Sequence, residues 1–239
     1  MKKSIQLIAA FVTFTSLSAY SQIPNIKKGI EKVTKSEPSP LSEEEVGKGL
    51  KEALNQGIEK GVSRLSKADG YFKDAQIKLL MPEEAKNVED KLRKIGQGKL
   101  VDDAIESMNR AAEDAANGAK SLFVDAIKNM SLQDAIGILR GNDDAATAYL
   151  NKSTRAQLFE KFKPVIKASL DKVGATKHWT DLITAYNKIP LVQKINPDLV
   201  EYATNKAIDG LFIQIAKEEL EIRKNPGARA TDLLKKVFG

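Results

Sequence analysis

The sequence predicts an all-α fold: a single compact multi-helix domain with at most one short extended hairpin or strand near residues 72–81. Three observations carry that expectation. From Leu41 onward, apolar residues recur every three or four positions, the spacing that lays a stripe along one side of a helix. Several of these runs open on Ser, Thr or Asp and close on Gly or an Asn-Pro pair, which is the punctuation of helix ends. No long β-branched run appears anywhere in the chain, so nothing competes for a sheet.

Residues 1–21, MKKSIQLIAAFVTFTSLSAYS, come first. Lys2 and Lys3 precede an uncharged run, Ile5–Leu17, that exits through Ala19-Tyr20-Ser21. This is the layout of a secretory signal peptide cut after Ser21, which leaves Gln22 as the first residue. The run is too short and too rich in Thr and Ser for a comfortable membrane span. Residues 22–40 carry Pro24, Pro38 and Pro40 among lysines and read as a flexible linker, leaving 41–239 as the helical domain.

The first helix starts at a Ser42/Glu45 capping box with Leu41 and Val46 as hydrophobic staple. Its stripe is Val46, Leu50, Leu54, Ile58, Val62 and Leu65, and Gly57 and Gly61 beside it invite close approach of another helix. After the Asp69-Gly70 turn, residues 72–81 partly alternate and read as an extended crossing. Pro82 opens a helix that ends near Ile95, with Gly96 as its stop. The stripe from Val101 to Met130 predicts the longest helix, with a kink at Asn117-Gly118. Ser131 caps a short helix to Gly141, and another begins near Asp143. Ser153 or Thr154 caps a further one that bends at Pro164 and stops at Gly174. Thr176 opens a segment to Ile189, Asn196-Pro197 starts a long helix to Lys224, and Thr231 caps a final short one.

Removing the leader leaves 218 of the 239 residues, enough to bury roughly 70–75% of the unfolded surface without a covalent staple. There is no cysteine, so disulfides, thiolate chemistry, cysteine zinc sites and a lipoprotein anchor are excluded. The net charge of +6 sits in the leader, the linker and the last 23 residues, while residues 41–216 balance 26 basic against 26 acidic side chains. A nucleic-acid groove needs clustered cations on one face, so nucleic acid is not expected as a partner.

Candidate chemistry is sparse. His178 is the only histidine, which rules out His-rich metal centres, and beside Trp179 it suits packing or capping. No GxSxG, HExxH or P-loop spacing occurs. Asp143, Asp144 and Thr147 lack the glycine and final glutamate of a calcium loop and read as helix capping. No metal or cofactor is therefore expected, and no catalytic residue is identified. Glu106, Asn109, Arg110 and Glu113 fall together on one helix side opposite the Met108/Ala112/Ala115 stripe. Their simplest reading is a solvated face with a Glu106–Arg110 pair; the alternative is a covered polar network or an anion site. Glu218, Glu219, Arg223, Asn225, Arg229, Thr231 and Asp232 form a second dense group. Its arginines either tie the terminal segment to acidic residues on the body or hold an anionic ligand. The candidate binding residues are thus Asn109, Arg110, Glu113, Arg223, Asn225 and Arg229.

Several strings together resemble the bacterial exported family named domain of unknown function 4197. They include LSEEEVGKGLKEAL at 41–54, GKLVDDAIESMNRAAEDA at 98–115, DAIGILRGNDDAATAYL at 134–150 and VGATKHW at 173–179. AYNKIP at 185–190 and AIDGLFIQIAKEELEIRKNPGARATDLLKKVFG at 207–239 complete the set. The resemblance spans the domain collinearly; Asp69-Gly70-Tyr71 departs mildly from the Asp-Gly-Phe common among members. It implies a periplasmic, single-domain protein of Gram-negative bacteria and transfers no catalytic residue. Three functions stay open: a soluble non-catalytic module binding a protein or small anionic ligand, an enzyme built from carboxylates and arginines, and an envelope-associated protein. In the last, the basic linker and the LLKKVF tail would make weak contact with an anionic membrane.

Overall fold

Helix α1 (Glu43–Leu65) starts on the expected capping box: the Ser42 side chain accepts from the Glu45 N–H and Glu45 reaches back to the Ser42 N–H. Two of the helix's orphan donors are satisfied this way. The computed structural model describes residues 41–239 apart from 173, 189, 192 and 197. The expected signal peptide and linker lie outside the described residues. Those residues are all-α, with nine α-helices and two short 3-10 turns.

Residues 66–82 cross the fold without regular structure. No strand forms at 72–81; the segment takes turns to Ile77 and then runs irregularly to Pro82. A 3-10 turn at Glu83–Ala85 leads into α2 (Lys86–Lys94), and Gly96 at φ +80° ends it, a conformation glycine adopts freely. The single helix expected over 101–130 is two, α3 (Gly98–Ala116) and α4 (Ala119–Asn129). The Gly118 N–H bonds the Ala115 carbonyl three residues back, and Asn and Gly hold helical backbone poorly, so the expected kink becomes a break. Helix α5 (Leu132–Leu139) has its own capping box, Ser131 with Asp134.

Helix α6 (Ala145–Lys172) corrects two further expectations. It is the longest described helix, and it runs unbroken through Ser153 and Thr154. Their hydroxyls donate back to the Tyr149 and Leu150 carbonyls, the alternative use of these residues to capping. Pro164 lies inside it and withholds one backbone donor. Helix α7 (Ala175–Asn187) follows, then α8 (Leu199–Lys224), capped by Asp198, a 3-10 turn at Pro226–Ala228, and α9 (Asp232–Phe238), capped by Thr231.

Helix α6 packs on both α3 and α8, while α1 lies across α8, α4 and α5. The core between them holds Met108, Phe123, Leu150, Leu158, Phe162, Ile166 and Leu211. Phe123 meets Phe212 edge to face at 5.7 Å. Gly57 and Gly61 act as expected: Cβ atoms there would touch Glu218, Ile222 and Ile215 of α8 at 3.0–3.5 Å. The terminal helix is docked. Leu234 is buried with Ala53 and Ile222, Phe238 packs beside them, and Leu233 and Val237 cover Gly49 of α1.

Candidate functional site

The first polar group of α3 is covered at Asn109 and Glu113, while Glu106 stays exposed and Arg110 half-buried. The Asp69-Gly70 turn brings residues 71–81 over it: Asp69 takes φ +70°, and a Cβ on Gly70 would lie 2.5 Å from the Arg64 and Leu65 carbonyls. Buried Glu113 then accepts the backbone N–H groups of Tyr71 and Phe72 at 3.1 and 3.2 Å. Fully buried Asn109 clamps the Leu79 main chain: its Oδ1 accepts the Leu79 N–H at 2.9 Å and its Nδ2 donates to the Leu79 carbonyl at 2.8 Å. A side-chain amide thus supplies what a neighbouring strand would, and an irregular segment is buried without leaving its peptide groups unpaired.

Arg110 donates to Glu113 and Asp69 at 2.9 Å each and to Glu106 at 3.4 Å. Hydrogen bonds from Lys73 and Arg110 hold the Asp69 carboxyl below its ordinary value, and those to Glu113 and Asp69 push the Arg110 guanidinium up. The Tyr71 ring is fully buried and its hydroxyl donates to the Ala207 carbonyl at 2.8 Å. Burial, assisted by the Glu113 charge, pushes that phenol up.

The second group joins three helix ends. Glu219 on α8 accepts the Ala146 and Thr147 N–H groups and the Thr147 hydroxyl at 2.8–3.0 Å. It therefore satisfies first-turn donors of α6 across the fold. Arg223, one turn on, donates to Glu219 and to the Ile138 and Leu139 carbonyls at the end of α5. A negative group thus sits at one helix N-terminus and a positive one at another's C-terminus, both in the favourable sense of the dipole. Arg229 donates to the Ile222 and Arg223 carbonyls and closes the end of α8. Asn225 accepts the Gly227 N–H in the turn beyond. The arginines thus bind backbone carbonyls as well as acids; no ion pair to Arg229 is formed among the described residues.

The free surface chemistry lies elsewhere. Segment 76–84 and the N-terminal half of α8 enclose an open groove of about 480 Å³, lined by Ile77, Leu79, Met81, Tyr202, Lys206 and Ile213 among others. A second hollow of about 400 Å³ continues past Glu84 and Tyr202 to Lys194 and Asn205. Tyr202 donates to the Leu80 carbonyl at 3.0 Å, and burial with the nearby Glu84 and Glu83 pushes its phenol up to about 12. Neither the Leu80 N–H nor the Lys206 ammonium has a partner among the described residues. Glu106, Asn109, Arg110, Glu113, Arg223, Asn225 and Arg229 line neither groove. His178 is exposed on the first turns of α7. Among the described residues no group of three His, Cys, Asp or Glu side chains is arranged to hold a metal ion, and no helix is long and apolar enough to cross a membrane.

Residues 40–239 match the family described as protein of unknown function (DUF4197). The chain belongs to the DUF4197 family. No curated protein and no solved structure matches it. In this DUF4197 protein the groove residues were missed by reading the sequence for ion clusters. A signal for them exists: Tyr202, Lys206, Asp209 and Ile213 recur at spacings of four, three and four on α8, one helix side that mixes apolar, aromatic and charged groups. Its other wall could not be paired with it from sequence, because Leu80 and Tyr202 lie 122 positions apart.

Proposed function

We propose that this DUF4197 protein is a non-catalytic binding module exported to the periplasm, and that it takes an extended segment of a partner protein in the groove between residues 76–84 and α8. One observation carries the reading. The clustered arginines and carboxylates are committed to the chain's own backbone, whereas a main-chain donor at Leu80, the Lys206 ammonium and the apolar surface of Ile213 stand open along one trough. An extended peptide suits such a trough: main-chain hydrogen bonds give affinity and alternate side chains meet the floor. The export part rests on residues 1–21, whose charge and apolar pattern is that of a cleaved leader.

Selection of displayed random peptides on the purified protein tests the groove. Selected peptides are expected to lose at least about tenfold in affinity to Ile213→Asp, since burying one aliphatic side chain is worth roughly that factor, and to bind more weakly to Lys206→Glu, which reverses a charge on the trough. Peptides that bind both variants as well as the parent protein would refute the assignment. N-terminal mass analysis of the periplasmic fraction tests export, with Gln22 expected as the first residue. An intact Met1 on membrane-embedded protein would overturn it.

A further inference from the structure

We propose that the exposed turn joining α2 to α3 is a membrane-surface contact that engages anionic lipid headgroups. Residues 91–100, KLRKIGQGKL, hold four cations and no acid, in a domain body whose other residues carry more acids than bases. Two large apolar side chains stand out at this turn: Ile95 is 71% exposed and Leu100 55% exposed. They flank Gly96-Gln97-Gly98, where a Cβ on Gly96 would meet nothing within 4 Å. Arg93 is held by Glu89 and Asp102, and Lys99 by Asp103. Lys91 and Lys94 are exposed and have no ion-pair partner among the described residues. An exposed apolar pair beside two unpaired lysines is the chemistry of an interfacial anchor, in which short apolar burial and headgroup attraction add.

A second copy of the chain is a poorer occupant, because symmetric pairing of this turn would set its cations against one another. The C-terminal helix, the other basic apolar segment, is a poorer anchor too, since its Leu233, Leu234 and Val237 already face α1 and its neighbours. The turn is therefore where an anionic bilayer would be met.

Co-sedimentation of the purified protein with vesicles of phosphatidylcholine, alone or mixed with phosphatidylglycerol, tests the proposal. Binding is expected only to the anionic vesicles and is expected to weaken as salt rises. Lys91→Ala with Lys94→Ala should lower partitioning about twenty-five-fold, at roughly fivefold per lysine. Ile95→Ser with Leu100→Ser should lower it about tenfold or more. Both variants change exposed side chains, and an unchanged melting temperature separates loss of contact from loss of fold. Removal of Thr231–Gly239 should leave vesicle binding in place. Failure of the parent protein to sediment, equal binding to neutral vesicles, or indifference to the four turn substitutions would each overturn the proposal. A concentration-dependent doubling of mass without vesicles that Ile95→Ser abolishes would do so as well, by showing self-association at this turn.

Discussion

Asn109→Ala isolates the contact that holds segment 76–82 in place. Asn109 is fully buried on α3 and makes three hydrogen bonds, two to the main chain of Leu79 and one to the Ile105 carbonyl on its own helix. Truncation leaves the Leu79 N–H and C=O without partners, and Leu79 itself is buried. Each orphaned buried group costs about 1–3 kcal/mol, but water entering from the neighbouring groove recovers part of that. The net expectation is a loss of about 2–4 kcal/mol. At about 2–4 °C per kcal/mol for a domain of this size, the melting temperature falls by about 4–16 °C. Calorimetry reads the shift, and hydrogen exchange at the Leu79 amide reads its cause, since that proton loses its acceptor. A melt within a degree of the parent, with the Leu79 amide still protected, would refute the assignment of the clamp to Asn109.

Gly210→Ala should lower stability severely, because the new Cβ would lie 2.7 Å from Cε1 of the Tyr71 ring, which is fully buried and cannot swing away; Tyr71→Leu in the same background should recover part of the loss. Glu219→Ala removes the partner of a largely buried Arg223 and the acceptor of two α6 backbone N–H groups, so urea denaturation should report a loss of about 3–5 kcal/mol. Deleting Thr231–Gly239 exposes Ala53 and Ile222 and should lower the melting temperature by several degrees, at about 1.5–3 kcal/mol for each apolar side chain uncovered; an unchanged melt would show that α9 is not docked in solution. Lys73 and Arg110 lower the Asp69 pKa in the folded state, so the unfolded chain binds the proton more readily and this contribution is present above the unfolded value, about 3.9, and is lost as pH falls through the lower folded value. Asp69→Asn, which keeps the left-handed backbone accessible, should accordingly flatten the acid limb of stability below about pH 4.

What sequence could show of this fold follows the range of the interactions involved. The capping boxes at Ser42/Glu45 and Ser131/Asp134 close within three residues, so the helix starts they mark were legible. The glycines of α1 were legible as contact points but not for their partner, because α8 lies more than 150 positions away. Ser153 and Thr154 misled for a different reason. A hydroxyl caps or bonds back to its own helix with similar ease, and only the burial of Thr154 against the core decides between them. For Glu113 and Asn109 the sequence leaves a solvated face and a covered network both open, because the segment that covers them arrives from 30 to 42 positions earlier. A hint was present in Ala111, Ala112, Ala115 and Ala116, an apolar arc broad enough to leave little of α3 facing water.

The clamp also connects stability to the proposed binding role. Segment 76–84 forms one wall of the groove, yet its residues 76–82 belong to no helix or sheet that would hold them rigid. It is fixed instead by Asn109 behind it and by the Tyr202 hydroxyl in front, which grips the Leu80 carbonyl. Asn109 sits behind that wall, bonded to Leu79, and lines none of the groove, so its loss should reach a bound peptide only by loosening that wall. A wall that must be ordered at each binding event costs affinity that a pre-formed one does not. In peptide titrations below the melting range, Asn109→Ala is therefore expected to weaken binding severalfold, while Glu219→Ala, which unsettles the far end of α8, leaves binding nearly unchanged in the folded fraction. Equal effects of the two substitutions would mean that the groove responds to overall stability and not to the wall that Asn109 holds.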